Sequence, residues 1–280
     1  PVPWPRAFRN AARATVRRPR LAPVKPVARK RFGQHFLVDR GVIESIVAVV
    51  APKPGENLIE IGPGDAALTA VLLDRVPRLR AIEIDRDLAA RLRKRFGDRL
   101  DLLEADVLTV DFAQFACDGP LRLVGNLPYN ISTPLLVRLI DYRDQVLDQH
   151  FMLQKEVVER IVASPGCAAY GRLGVLLQAY YDTESLIDVS PLAFEPPPRV
   201  DSAVIRMLPR RGGESVPQAA LSEVLAAGFG QRRKMLRKTL LPWLQARGLD
   251  DGGLLPPTAR AEEVPVADWI ALARRVSGAA

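Results

Sequence analysis

The stretch NLIEIGPGDAALT, residues 57–69, decides the fold. Its first part, NLIEIG, is a short apolar run ending in glycine, the pattern of a buried strand. The second begins AALTAVLLDRV (66–76), which has helical spacing. Gly62 and Gly64 stand between the two, where glycine permits a tight turn and brings backbone N–H groups toward a ligand at the helix start. Ala67 takes the third position of a G-x-G-x-x-G pattern, a substitution that pattern accepts, so the turn alone does not name a ligand.

The same alternation runs on around this unit. A helical segment over Val42–Val50 stops at Pro52, LRAIEID (79–85) reads as a strand, and RDLAARLRKRF (86–96) as a helix. LDLLEAD (100–106) and LRLVGN (121–126) read as further strands. Strands alternating with helices predict a parallel sheet with crossover helices, an α/β, Rossmann-like doubly wound domain. PRRGGES (209–215) reads as a linker, and the residues after it as helices broken by PP and GG with no strand run. The expected division is a basic flexible arm at 1–27, the α/β domain at 28–208 and a small α-helical domain at 209–280.

Charge is distributed unevenly. The net charge is +8, yet residues 1–31 carry ten Lys or Arg and no acid, which leaves 30 basic against 32 acidic residues beyond them. The body is nearly neutral, so any anion-binding surface on it has to come from local clustering. The Pro- and Arg-rich arm reads as an unselective tail, an RNA-contacting arm or an organelle transit peptide. No run approaches the roughly 18 apolar residues of a membrane span, so no membrane partner is expected. Cys117 and Cys167 lie far apart and outside any C-x-x-C pattern, which argues against a disulfide framework and against a metal site. A reducing, cytoplasmic setting is expected, or the mitochondrial matrix if the arm is a transit peptide. His150 is expected to be partly buried or on the surface.

Strand ends carry the chemistry. Glu83 closes the second strand 21 residues beyond Gly62, where an acid accepts hydrogen bonds from ribose hydroxyls. Asp106, closing the third strand, is positioned for an adenine edge, although either acid alone could equally cap a helix. With the glycines they point to an adenosine-containing cofactor at the carboxyl edge of the sheet. The fourth strand runs into Asn126, Leu127, Pro128 and Tyr129. An amide oxygen and a backbone carbonyl there can hold the hydrogens of a conjugated exocyclic amine, and those bonds strengthen as positive charge grows on nitrogen. The Tyr129 ring offers a surface on which a flipped base can stack.

NLPY resembles the (Asn/Asp/Ser)-x-Pro-(Tyr/Phe) motif of methyltransferases that modify exocyclic amino groups with S-adenosylmethionine. RKRFGQHFL (29–37), IEIGPGDAALT, AIEIDRDLAARL, NLPYNISTPLL, MLQKEVVERI (152–161), AYGRLGVLLQ (169–178), FEPPPRVDSAV (194–204) and FGQRRKMLRKTL (229–240) together resemble the ribosomal RNA adenine dimethyltransferase family, in collinear order over about residues 28–245. The resemblance implies transfer of two methyl groups from S-adenosylmethionine to N6 of each of two adjacent adenosines, in a hairpin near the 3′ end of 16S (small-subunit) rRNA. It also implies a role in late small-subunit assembly.

Carried over by position, the resemblance implies cofactor contacts at His35, Leu37, Gly62, Glu83, Asp106 and Asn126. It implies base handling by Asn126, Leu127, Pro128 and Tyr129, with Phe194 as a second aromatic wall. His35 departs from the Asn more usual there, and Arg199 from Lys. In QRRKMLRK (231–238), Arg232, Arg233, Lys234, Arg237 and Lys238 are predicted on one helix, where i,i+4 like charges repel unless an anion lies across them. The resemblance implies an RNA groove there, with Arg29, Lys30 and Arg31 as further rRNA contacts. A monomer acting on the small ribosomal subunit is expected. The rivals are a large-subunit rRNA adenine dimethyltransferase and an assembly or transcription factor that keeps the fold without catalysis.

Overall fold

The structure, a computed structural model, describes residues 35–212, 216–231, 234–256 and 258–278. The arm at 1–27 and the cations Arg29, Lys30, Arg31, Arg232 and Arg233 lie outside the described residues. In chain order the elements are β1 (Phe36–Leu37), α1 (Arg40–Val50), β2 (Asn57–Ile61), α2 (Ala67–Arg75), β3 (Leu79–Glu83), α3 (Arg86–Phe96), β4 (Leu100–Glu104), β5 (Leu121–Asn126), α4 (Tyr129–Leu139), β6 (Val146–Gln154), α5 (Lys155–Val162), α6 (Arg172–Gln178), β7 (Tyr181–Val189), β8 (Phe194–Glu195), β9 (Ser202–Pro209), α7 (Gln218–Phe229), α8 (Leu236–Gln245) and α9 (Val266–Ser277).

Seven strands form one sheet in the order β4-β3-β2-β5-β6-β9-β7. The first five are parallel, as the alternating pattern predicts, and β9 and β7 close the sheet antiparallel. β1 and β8 form a separate two-stranded ribbon. The strand order reverses between β2 and β5, and in open α/β sheets such a reversal leaves a crevice beyond the carboxyl ends of the strands.

Local chemistry sets the element ends. Asp39 caps α1 by accepting the Val42 N–H at 3.0 Å, and Pro52 follows the helix. Asp85 caps α3 through Asp87 and Leu88, and Arg93, Lys94 and Arg95 face the carbonyl end of that helix. Alternation along β2 sends Leu58 into one hydrophobic core and Ile59 and Ile61 into the other, on the opposite face of the sheet. The second core is continuous with Leu221, Leu240 and Trp269 of the last three helices. The Tyr170 hydroxyl donates to the Val264 carbonyl at 2.7 Å, tying those helices to the body.

Three strands of the main sheet stand where the sequence reading assigned no element, and two expectations change. The strands β6, β7 and β9 carry no clean period-2 signal, and β7 has a bulge between Ser185 and Ile187. His150 is buried in β6, 3 % exposed, and burial pulls its imidazole pKa down. The helix expected over 231–238 starts only at Leu236, because Met235 is extended and bridges Arg260. Lys234 therefore lies before the helix, and its expected i,i+4 pairing with Lys238 does not form. Among the described residues no helix is long and apolar enough to cross a membrane.

Candidate active site

A cavity of 290 Å³ opens at the carboxyl ends of β2, β3, β4 and β5. His35, Leu37, Gly62, Glu83, Asp106, Asn126, Leu127, Pro128 and Tyr129 all line it. The chain thus brings together residues spread over 95 positions: Gly62, Glu83, Asp106 and Asn126–Tyr129 stand at or just past strand ends on one edge of the main sheet, and His35 and Leu37 come from the separate β1–β8 ribbon.

The glycine turn works differently from the sequence expectation. Gly62 and Gly64 adopt φ of 66° and 55°, which L side chains rarely tolerate. Their N–H groups do not point at a ligand: Gly62 donates to the Ile82 carbonyl at 2.9 Å, and Gly64 to Glu83 Oε2 at 3.1 Å. The turn is no anion nest of the kind that grips a pyrophosphate. Beneath it Glu60 is 1 % exposed and accepts the Thr69 hydroxyl at 2.7 Å, and burial pushes its carboxyl up to about 8.

Glu83 is held at both oxygens, Oε2 by Gly64 N–H and Oε1 by Asp85 N–H at 2.9 Å. Burial raises its pKa, while those backbone bonds oppose the rise. Each oxygen keeps a lone pair for a hydroxyl donor, so the clamped carboxylate suits a ribose. Asp106 accepts the Leu108 N–H at 2.9 Å, a cap on a short 3₁₀ turn, and still faces the cavity. A nucleoside with no phosphate fits this wall: carboxylate acceptors are present, and the N–H groups of both glycines are spent.

At the other end of the cavity the Asn126 amide nitrogen donates to the His35 carbonyl at 3.2 Å. That leaves Oδ1 as the atom available to a donor. The Leu127 N–H goes to the Met152 carbonyl at 3.1 Å, and the Pro128 carbonyl accepts the Ile131 N–H at 3.1 Å as α4 begins. Gly125 lets β5 approach β2: a Cβ there would stand 2.4 Å from the Ile61 carbonyl oxygen. The Tyr129 hydroxyl shares a 3.0 Å hydrogen bond with Ser202, and burial raises its pKa.

Phe194 is not brought to this cavity. Its ring is 4 % exposed and packs in the core that contains Leu37, Ile43 and Val204. The ring that faces Tyr129 belongs to His35, with centroids 6.0 Å apart and planes 27° from parallel. Lys234, Arg237 and Lys238 are exposed around the start of α8 and do not line the cavity. Sequence reasoning missed Gly125, Ser202 and the lining residues Phe36 and Ile84. Only Ser202 left a trace, as the last serine of FEPPPRVDS.

A family model described as ribosomal RNA adenine dimethylase matches residues 26–276. The chain is 57 % identical to a protein of Methylibium petroleiphilum named ribosomal RNA small subunit methyltransferase A, over 89 % of this chain and 97 % of that protein. It is 57 % identical to one of the same name from Bordetella pertussis, over 88 % of this chain and 93 % of the other. Its fold is similar to that of a dimethyladenosine transferase from Plasmodium falciparum, with a TM-score of 0.73 at 24 % identity over 85 % of this chain and 96 % of that one.

Proposed function

The chain belongs to the ribosomal RNA adenine dimethylase family, and on that premise we propose that it dimethylates N6 of two adjacent adenosines in the 3′-terminal hairpin of small-subunit rRNA. S-adenosylmethionine is the cofactor. The observation that carries the reading is the Asn126 amide, turned by the His35 carbonyl so that its oxygen meets an incoming amine beside the Tyr129 ring.

Asn126 Oδ1 accepts one hydrogen of the adenine amine. The Leu127 or Pro128 carbonyl accepts the other; the Pro128 oxygen already takes one bond from the Ile131 N–H and keeps a second lone pair. Both bonds strengthen as nitrogen gains positive charge, so they lower the barrier more than they stabilise the bound substrate. Glu83 and Asp106 hold the nucleoside of the cofactor, and Leu37 and Gly62 shape the wall around it. When bound, S-adenosylmethionine supplies an electrophilic methyl group, so no protein nucleophile is needed.

Taking a base out of an RNA hairpin costs a few kcal/mol of stacking, about what a new stack on Tyr129 returns. The exposed cations Lys234, Arg237 and Lys238, with Arg232, Arg233 and Arg29–Arg31, are proposed to hold phosphates of the small subunit. The helical segment 209–280 is proposed as the RNA-binding part, the protein as a monomer, and the setting as cytoplasmic.

The substrate is tested by presenting undermethylated small subunits, large subunits and naked small-subunit rRNA with labelled S-adenosylmethionine. Label in the small subunit alone is the expected result. Label in the large subunit alone would favour the large-subunit reading.

A further inference from the structure

We propose that Glu60 answers the positive charge of the cofactor's sulfonium, so that the site prefers S-adenosylmethionine to the neutral product, S-adenosylhomocysteine. The proposal deepens the adenine-methylating reading above and rests on it.

The register of the sheet places the carboxyl. Glu60 of β2 stands opposite Ala81 of β3 and Val124 of β5. Glu83 lies two residues beyond Ala81, and Asn126 two beyond Val124. Alternation therefore puts Glu60, Glu83 and Asn126 on one face of the sheet, the face that α2 covers through Thr69. The ribose is held at Glu83 and the amine at Asn126. The methyl donor has to join them across β2, the strand between, and Glu60 lines the same cavity.

The protein leaves the Glu60 charge without a counter-charge. The side chain is 1 % exposed, and Thr69 supplies its hydrogen bonds, the hydroxyl to Oε2 at 2.7 Å and the backbone N–H beside it. Among the described residues no cation pairs with it. From β3, Glu83 repels it; from β5, apolar Val124 faces it. α2 carries its charged residues, Asp74 and Arg75, at its far end. Asp65 of the glycine turn is countered by Arg95 and Arg91, and His35 and Asp106 complete the titratable lining of the cavity. In the free protein the carboxyl thus keeps its proton up to about pH 8.

A sulfonium stabilises a carboxylate at this place, and a neutral thioether does not. Binding of S-adenosylmethionine therefore lowers the Glu60 pKa and releases its proton. In the transfer the S–CH3 electron pair stays on sulfur, the amine lone pair forms the new N–CH3 bond, and N6 sheds one proton. Glu60 then has no counter-charge and takes a proton back from solvent. The product lacks the attraction that held its precursor, which frees the site for the next transfer.

Wild type and Glu60→Gln, which keeps an acceptor for Thr69 and cannot ionise, are titrated with S-adenosylmethionine, S-adenosylhomocysteine and the charged amine analogue sinefungin. Calorimetry in buffers of different ionisation enthalpy counts the protons. Glu83 and the ligands' own amino groups titrate in both proteins, so the difference between the two proteins belongs to Glu60. A binding event that lowers a pKa is favoured as pH rises.

For a coupling of one pKa unit, the wild type is expected to release about half a proton more than Glu60→Gln near pH 7.5 with each charged ligand, and no more than it with S-adenosylhomocysteine. Its preference for S-adenosylmethionine over S-adenosylhomocysteine rises about tenfold from pH 6 to pH 9 relative to the variant's. Should Glu60→Gln not fold, the wild type decides alone, both charged ligands releasing protons that S-adenosylhomocysteine does not. Equal proton counts in the two proteins, or equal counts for charged and neutral ligands in the wild type, overturn the proposal. If the wild type binds none of the three ligands, the reading beneath it has failed, and the proposal with it.

Discussion

Asn126 donates its side-chain amide to the main-chain carbonyl of His35 across 3.2 Å, so a residue 91 positions earlier in the chain decides which atom of the amide faces the cavity. The donor commits the nitrogen and presents the oxygen. Asn126→Ala removes that acceptor while leaving the cofactor wall of Glu83 and Asp106 in place. A fall in kcat of about 10²- to 10³-fold is expected, the usual cost of one transition-state hydrogen bond. Single-turnover methylation measures it. A change confined to KM would mean that Asn126 only binds.

Gly125 is set by close approach. A Cβ would meet the Ile61 carbonyl oxygen at 2.4 Å, backbone against backbone, and cannot be relieved by a rotamer change. Gly125→Ala is expected to cost about 1–3 kcal/mol of stability through overpacking. It also pushes Asn126 away from the glycine turn, and a displacement of about 1 Å costs on the order of 10²-fold in rate. Melting and kcat/KM of the same preparation check both. Full activity in a destabilised variant would separate the β2–β5 approach from the chemistry.

Glu60 gives a pH signature. Its carboxyl is raised by burial from the unfolded value of 4.5 to about 8, so the folded state holds its proton more tightly than the unfolded state. The stability it contributes is complete below pH 4.5 and drains as pH rises toward 8. Glu60→Gln keeps an acceptor for Thr69 and cannot ionise. Urea melts from pH 4.5 to 8.5 are expected to fall in the wild type and stay flatter in the variant. Parallel curves would show that Glu60 titrates as in the unfolded chain.

Lys234, Arg237 and Lys238 should act through phosphates. Replacing all three by Ala is expected to weaken small-subunit binding and to lower the slope of log affinity against log salt by about 0.7–0.9 per lost contact. Cofactor affinity stays the same. Binding measured at several salt concentrations decides it, and an unchanged slope would remove this face from the RNA interface.

The parallel half of the fold was legible because buried strands and crossover helices leave strong periodic signals, while the caps at Asp39 and Asp85 emerge only in the structure. The antiparallel half was not. His150 and Gln149 are buried polar residues inside β6, and the alternating charges of β7 look like a loop. At the site, Gly62, Glu83, Asp106 and NLPY were legible because each closes a strand. The partners of their atoms were not: the Gly64 N–H goes to Glu83, and His35 faces Tyr129, through contacts between distant segments that no local pattern encodes. The register of the QRRKMLRK helix failed because the Met235–Arg260 bridge is a tertiary contact that overrides local helix propensity.

One measurement tests the central claim most directly. The protein and its Asn126→Ala variant are incubated with S-adenosylmethionine and small subunits from cells lacking this modification, and the digested rRNA is quantified for N6,N6-dimethyladenosine by mass spectrometry. The account requires dimethyladenosine with the wild-type protein, at two residues per subunit, and almost none with the variant. Absence of dimethyladenosine with a wild-type protein that binds the cofactor, or equal amounts with the variant, would contradict it.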